Sequence, residues 1–318
     1  MSVSIQPMAD FYPASEINAA SLSHFGLIEI TGEQAKTFIN GQVTTDILTM
    51  TQEQWRWGAH CDPKGKMIAS FRTFLLGERL FMLMPKTTLG LDLPQLKKYA
   101  VFSKAELTDV TDNWKILGLY GEKAAELVTK HFGELSHELS VIDQGAILKH
   151  SFGFMVILPL SQAQNFIEQA ALEPLDNAVW QALEINAGYP NIDSQHSGQY
   201  VPQMCNLQAI NGISFTKGCY MGQETIARMK YRGGNKRALY ILEGTTKLTL
   251  STESQVEIQL EDGYRKVGNV IEVVQQGERV LMTAVLANDT QADAVLRIAD
   301  DETSSLTVKA LPYSLIED

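Results

Sequence analysis

At Arg237 the sequence changes character. Before it, runs of helical period alternate with runs of strand type. After it come short segments at Arg237 to Leu242, Gln255 to Leu260, Val267 to Val274, Val280 to Leu286, Val295 to Ile298 and Leu306 to Leu311, separated by Gly, Asp and Asn. Strands without helices must bury their apolar faces against one another, which predicts a separate small β-barrel or sandwich of six strands. Mixed elements before it and strands alone after it make the whole chain α+β. A chain of 318 residues, 45% hydrophobic and 20% charged, has an ordinary globular composition, which excludes a disordered or fibrous protein. At this length single cores tend to split, so two or three domains are expected.

The part before Arg237 reads as two related units. Phe25 to Ile30 is a strand, followed by Thr31 and Gln34 as a capping box for a helix that turns Ala35, Phe38 and Ile39 inward. Trp114 to Tyr120 is a second strand, and Tyr120-Gly121-Glu122-Lys123-Ala124 repeats Thr31-Gly32-Glu33-Gln34-Ala35. The first unit also holds a hairpin, Trp55 to Cys61 and Met67 to Leu76, around the turn Asp62-Pro63-Lys64-Gly65, with strands at Leu80 to Met84 and Ala105 to Thr108. The second holds a strand near Phe154 to Leu158 and a helix capped by Ser161 and Gln164. A further helix is capped by Asp176 and ends before Gly188 and Pro190. The expected domains are residues 1–110, 111–236 and 237–318, the first two intertwined.

A net charge of −11 argues against a protein that wraps nucleic acid, because phosphate neutralisation needs clustered basic charge. The average hides a segregation. Trp55 to Lys104 carries nine Lys+Arg against three Asp+Glu, and Lys217 to Arg237 carries six against one. Two basic stretches inside an acidic chain read either as solvated faces or as the walls of a site for a small anionic ligand. The longest apolar run, Phe152 to Leu160, is under half of the ~20 residues needed to span a bilayer. The first twenty residues have neither a basic start nor an apolar core, so no leader is expected and the location is expected to be cytoplasmic. Cys61, Cys205 and Cys219 are widely spaced. They form no disulfide framework and no self-contained metal ligand set.

The densest chemistry lies in Lys217-Gly218-Cys219-Tyr220-Met221-Gly222-Gln223-Glu224, leading into a helical turn from Thr225 to Lys230. Glycines on both sides of a cysteine permit a close ligand approach, and both a following helix start and Lys217 favour the thiolate. A lone cysteine is commonly a buried structural residue, but burial leaves the polar flanks unexplained. Cys219 is therefore the candidate functional thiol and Lys217 the residue that tunes it.

This octapeptide resembles the K-G-C-Y-x-G-Q-E signature of the YgfZ family, folate-binding relatives of the glycine-cleavage T protein (aminomethyltransferase). The other matching segments are Gly41-Gln42-Val43-Thr44-Thr45-Asp46, His60-Cys61-Asp62-Pro63-Lys64-Gly65-Lys66, Leu96 to Lys104, Ser197-Gly198-Gln199-Tyr200-Val201-Pro202-Gln203 and Leu311-Pro312-Tyr313-Ser314-Leu315. They run in order from about Phe25 to the C-terminus. The resemblance implies a ring-like arrangement of two folate-binding α+β subdomains and a C-terminal barrel, with tetrahydrofolate or a one-carbon derivative as cofactor. It places the aromatic folate contacts at Phe25 and Trp180, with Glu184 one helical turn beyond Trp180. A Trp on an amphipathic helix is otherwise more often core. Phe25, where the family pattern has Trp, keeps a stacking face but lacks an indole N–H. Arg228 and the Lys64 turn would meet the anionic glutamate tail or tRNA phosphates.

The aminomethyltransferase pattern has a catalytic Asp after an Asn-Ala strand. Here Leu83-Met84-Pro85-Lys86-Thr87 lacks the Asn-Ala, and Asp92 lies nearby without the motif. The resemblance therefore implies an accessory factor rather than an active aminomethyltransferase. Such a factor supports iron–sulfur enzymes, including those that methylthiolate tRNA, and through tRNA modification influences replication initiation. The alternative is a folate-dependent one-carbon transferase, for which none of the six histidines offers a recognisable general base. Its expected partners are folate and iron–sulfur enzymes, with no membrane and no metal of its own. Direct tRNA contact is open and an indirect role is expected, because aromatics are not interleaved with the basic residues beyond Tyr231.

Overall fold

The computed structural model describes residues 16–315. The expectation that no leader is present concerns residues that lie mostly outside that range. The chain enters through β1 (Asn18–Ser21), which leaves its sequence neighbours and pairs far along the chain. Strand β2 (Phe25–Thr31) and helix α1 (Ala35–Asn40) follow, then β3 (Arg56–Cys61), β4 (Met67–Leu76) and β5 (Arg79–Pro85). Helix α2 (Lys86–Ala100) and β6 (Glu106–Asp109) complete the first unit, an antiparallel five-stranded sheet in the order β3-β4-β5-β2-β6.

The second unit repeats the plan with β7 (Trp114–Tyr120), α3 (Ala124–Phe132), β8 (Leu139–Ile142), β9 (Gly145–His150), β10 (Gly153–Pro159) and α4 (Leu160–Gln169). Its sheet order is β1-β7-β10-β9-β8. The correspondence extends to backbone detail. Gly32 and Gly121 leave β2 and β7 at φ +106° and +111°, a region open to glycine and strained for other residues. Phe25 pairs with Pro85 and Trp114 pairs with Pro159, and each proline then starts a helix with extended geometry. β1 supplies the edge strand of the second sheet, while β6 supplies that of the first.

Helix α5 (Ala178–Asn186) and a stretch of 3-10 turns lead to α6 (Gln223–Arg232). The remaining strands are β11 (Arg237–Thr245), β12 (Gln255–Leu260), β13 (Gly263–Gln276), β14 (Arg279–Ala287), β15 (Leu296–Ile298) and β16 (Ser305–Lys309). They close into a barrel in the order β11-β14-β13-β12-β15-β16. This is the six-stranded barrel expected from the change of pattern at Arg237, and the α+β class holds throughout.

Several local expectations give way. The Thr31 and Gln34 box does not form: α1 has no side-chain cap, and Gln34 Oε1 instead accepts from the Lys104 amide at 2.8 Å. Ser161 and Gln164 do not cap α4 either, because Pro159 starts that helix and Gln164 bonds Glu168. Asp176 does accept the Ala178 amide at 3.0 Å, at the mouth of α5.

One apolar core joins all three units. It contains Phe25, Phe74 and Phe81 from the first, Trp180, Leu183 and Ile157 from the second, and Ile241, Val274 and Leu281 from the barrel. Trp180 is wholly buried, its ring so close to β7 that a Cβ on Gly118 would stand 2.3 Å from it. Removing so large a buried ring costs about 3–5 kcal/mol.

Candidate functional site

Several motifs that lie far apart along the chain meet in space. The Asp62 to Gly65 turn, held by Asp62 Oδ1 accepting the amides of Lys64 and Lys66 at 2.8 Å, packs against the start of α6. The approach is backbone to backbone: a Cβ on Gly222 would lie 2.7 Å from the Asp62 carbonyl and 2.8 Å from Gly65 Cα. Met67 N donates to the Tyr200 carbonyl at 2.7 Å and Lys66 Nζ to that of Gln199 at 2.9 Å, which adds the Ser197 to Gln203 segment. Tyr313, near the C-terminus, donates to the Gly188 carbonyl at 2.8 Å.

Lys217 sits under the loop after α1. Its ammonium donates to the carbonyls of Asn40, Val43 and Thr45 at 2.6, 2.7 and 2.7 Å, so the Gly41 to Asp46 motif wraps this one cation. Burial draws its pKa down to about 8. Cys219 is exposed and free, four residues ahead of the first residue of α6. Cys61 and Cys205 are buried, and burial pushes both thiols up, which leaves them as apolar core residues. Arg228 is exposed on α6.

Phe25, Trp180 and Glu184 lie together, but inside the protein rather than on a cavity wall. Glu184 accepts from Arg72 Nη2, from Trp180 Nε1 at 3.0 Å and from Asn191 Nδ2 at 2.8 Å. The same Asn191 amide reaches Glu272 of the barrel at 3.2 Å. Arg72 therefore stands where the three units meet, its guanidinium over the rings of Trp57 at 4.3 Å, Phe25 at 5.1 Å and Tyr189 at 5.5 Å. Two buried carboxylates share one cation. Burial, then the charge of Glu184, pushes Glu272 up to about 8; burial also raises Glu184, against the opposing pull of Arg72 and of the hydrogen bonds from Trp180 and Asn191. At neutral pH the proton belongs on Glu272. Burial and then the Arg72 charge hold the imidazoles of His24, lowered to about 4, and His150 in the neutral form.

In front of this junction lies a cavity of about 610 Å³ walled by Trp55, Arg56, Trp57, Tyr189, Ser214 and Thr216, among others. A second cavity, of about 620 Å³, is lined by His150 and shares Gln54 and Glu138 with the first. Trp57 Nε1 and His150 Nε2 are buried and have no hydrogen-bond partner. Buried polar atoms are normally satisfied, so these two are exceptions behind the cavity walls. Thr45, whose carbonyl accepts from Lys217, and Thr216, its neighbour in sequence, tie this wall to the Lys217 loop.

Sequence reading had missed Arg72, Trp57, Tyr189, Asn191 and Glu272. An Arg inside the apolar run Met67 to Leu76 was the one available signal. It had also missed a pair on the other side of the first sheet, where His60 Nδ1 meets Asp92 Oδ1 at 2.6 Å, both residues buried. Neither lines the cavities described above, and the pair acts as a polar strut between β3 and α2.

Duplicated five-stranded sheets, a closed C-terminal barrel and a cavity beside their junction define an aminomethyltransferase T type of architecture. Aminomethyltransferase T of the glycine cleavage system from Bartonella henselae superposes with a TM-score of 0.65 at 16% identity, covering 94% of this chain and 86% of that one. Residues 15–155 match the GCVT N-terminal domain, and residues 235–301 match the family described as YgfZ, beta-barrel domain. Proteins named tRNA-modifying protein YgfZ are similar over 94% of this chain and 93% of their own length, at 40% identity in Yersinia pseudotuberculosis serotype O:1b and 41% in Yersinia enterocolitica. The chain belongs to the YgfZ family. Among the described residues no helix is long and apolar enough to cross a membrane, and no group of three or more His, Cys, Asp or Glu residues is placed to hold a metal ion.

Proposed function

We propose that this protein binds a reduced folate in the cavity before Trp57 and serves as an accessory factor in tRNA modification, with Cys219 as its working thiol. The observation that carries the folate part is the wall itself. It has stackable rings at Trp55, Trp57 and Tyr189 and polar side chains at Arg56, Ser214 and Thr216, which suit a heterocycle with a hydrogen-bonding edge. On this reading Phe25, Trp180 and Glu184 hold the wall from behind by fixing Arg72 under Trp57. Arg228 stands outside the cavity, so of a bound folate it would meet only an extended polyglutamate tail.

Lys217 acts on Cys219 as a positioning residue. With its ammonium fixed by three carbonyls, it sets the path of the loop on which the exposed thiol stands. An accessible thiol on the loop whose Lys217 bonds the cavity residue Thr45 fits support of iron–sulfur enzymes such as tRNA methylthiotransferases, in the cytoplasm, with any influence on replication initiation following from tRNA modification.

Titration with tetrahydrofolate, read by tryptophan fluorescence and calorimetry, tests the cavity. Trp57→Ala is expected to weaken binding at least tenfold, and undiminished affinity would remove the cavity from the proposal. Cys219→Ala is expected to keep folate binding while failing to restore methylthiolated tRNA in cells lacking the protein. Full restoration would end the thiol assignment.

A further inference from the structure

Helix α6 is held to the body of the protein mainly by its buried Ile226, whose carbonyl accepts from Gln203 Nε2 at 2.7 Å. Lys230 of the same helix is drawn over the Phe215 ring at 4.0 Å. The rest of the helix presents Glu224, Arg228, Tyr231 and Arg232 to solvent, at positions that share one face. Tyr231 shows 69% of its surface. Some surface cations meet carboxylates: Arg79 with Glu29, Lys104 with Glu33, Lys123 with Glu16 and Lys309 with Glu243. Arg228 and Arg232 have no carboxylate partner among the described residues, in a chain with eleven more acidic than basic side chains.

An exposed aromatic ring between two guanidinium groups about 6 Å apart along the helix axis has the make-up of a single-strand nucleic-acid platform. The ring offers its face to a base, and the arginines take the phosphates on either side. Lys64 is exposed on the turn that abuts Gly222, so it continues the positive path to the start of the helix and toward Cys219. An acidic protein would satisfy the arginines but leave the ring without a stacking partner. We propose that this face of α6 docks RNA directly, with an unpaired base on Tyr231 and backbone phosphates on Arg228 and Arg232. The proposal goes beyond the folate reading and does not depend on it. It replaces the expectation of an indirect role toward tRNA.

The test uses the full-length protein, a labelled unmodified tRNA transcript and a labelled single-stranded oligouridylate, with anisotropy read from 50 to 200 mM salt and poly-glutamate as the acidic control. Tyr231→Ala should weaken oligouridylate binding about 5- to 150-fold, the equivalent of one lost base stack. Arg232→Ala should lower the slope of log affinity against log salt by about 0.7–0.9. Both variants should bind monoglutamyl tetrahydrofolate as the wild type does, which separates this result from any failure of the cavity assignment. Equal RNA affinity in wild type and Tyr231→Ala overturns the proposal, as does the absence of RNA binding at 50 mM salt. Poly-glutamate binding as tightly, with the same dependence on Tyr231, also overturns it and makes the partner an acidic protein.

Discussion

Two regions of this chain are both basic in sequence and end in opposite surroundings. In the first stretch Arg72 is drawn into the core, covered by Trp57, Phe25 and Tyr189 and bonded to Glu184 and Asn191. In the second, Arg228 and Arg232 stand on an open helix face. Charge of the same sign thus does two jobs: one cation joins three structural units, and the others are left available to a partner. A buried ion is costly to leave unpaired, whereas an exposed one contributes little to stability either way. The contrast says that mutations at the junction should be read in folding, and those on α6 in binding.

The largest effect that tests this division belongs to Arg72. Arg72→Ala strands Glu184 beside Glu272 without their cation and is expected to cost about 3–5 kcal/mol in urea unfolding. A loss under 1 kcal/mol would show that the junction is not held by charge. Next comes Glu272, whose acid form persists in the fold up to about pH 8, whereas in the unfolded chain it ionises near 4.5. The native state then binds the extra proton between those values, so this residue makes stability fall as pH rises from about 4.5 to 8. Glu272→Gln keeps the neutral form. It should flatten that fall and leave the variant more stable than wild type above pH 8, on the order of 1–3 kcal/mol. Parallel pH–stability curves for the two proteins would place the shared proton elsewhere. The smallest effect is expected on α6: Arg228→Ala and Arg232→Ala together should move the urea midpoint by no more than about 0.5 kcal/mol in free energy. A larger loss would mean that the helix face is structural after all.

The sequence made the barrel legible strand by strand, because each strand pairs with partners inside one short stretch and needs only period two and turn residues to declare itself. The β3–β4 hairpin and the Thr31/Tyr120 repeat were legible for the same reason. Helix α2 was not. Its buried stripe of Leu89, Leu93, Leu96 and Ala100 has helical spacing, but Gly90, Pro94 and two threonines weaken every local signal. β8 and β9 also escaped, as did β1, whose partner begins nearly a hundred residues later. The site divides in the same way. Cys219, Lys217 and the Lys64 turn stand out in the sequence because motif residues cluster there. Arg72 meets Glu184 across 112 residues, and nothing local to either marks the other.

The placement of β1 bears on the order in which the molecule can assemble. Residues 18–21 leave the ribosome nearly a hundred residues before the strand they pair with, which spans residues 114–120. The first sheet has all its strands once Asp109 has emerged, while β1 has no partner strand until β7 arrives. A protein synthesised without that segment would fold its first half unhindered and leave β7 exposed as a raw edge, so a clipped N-terminus should appear as self-association through the second half rather than as loss of the first.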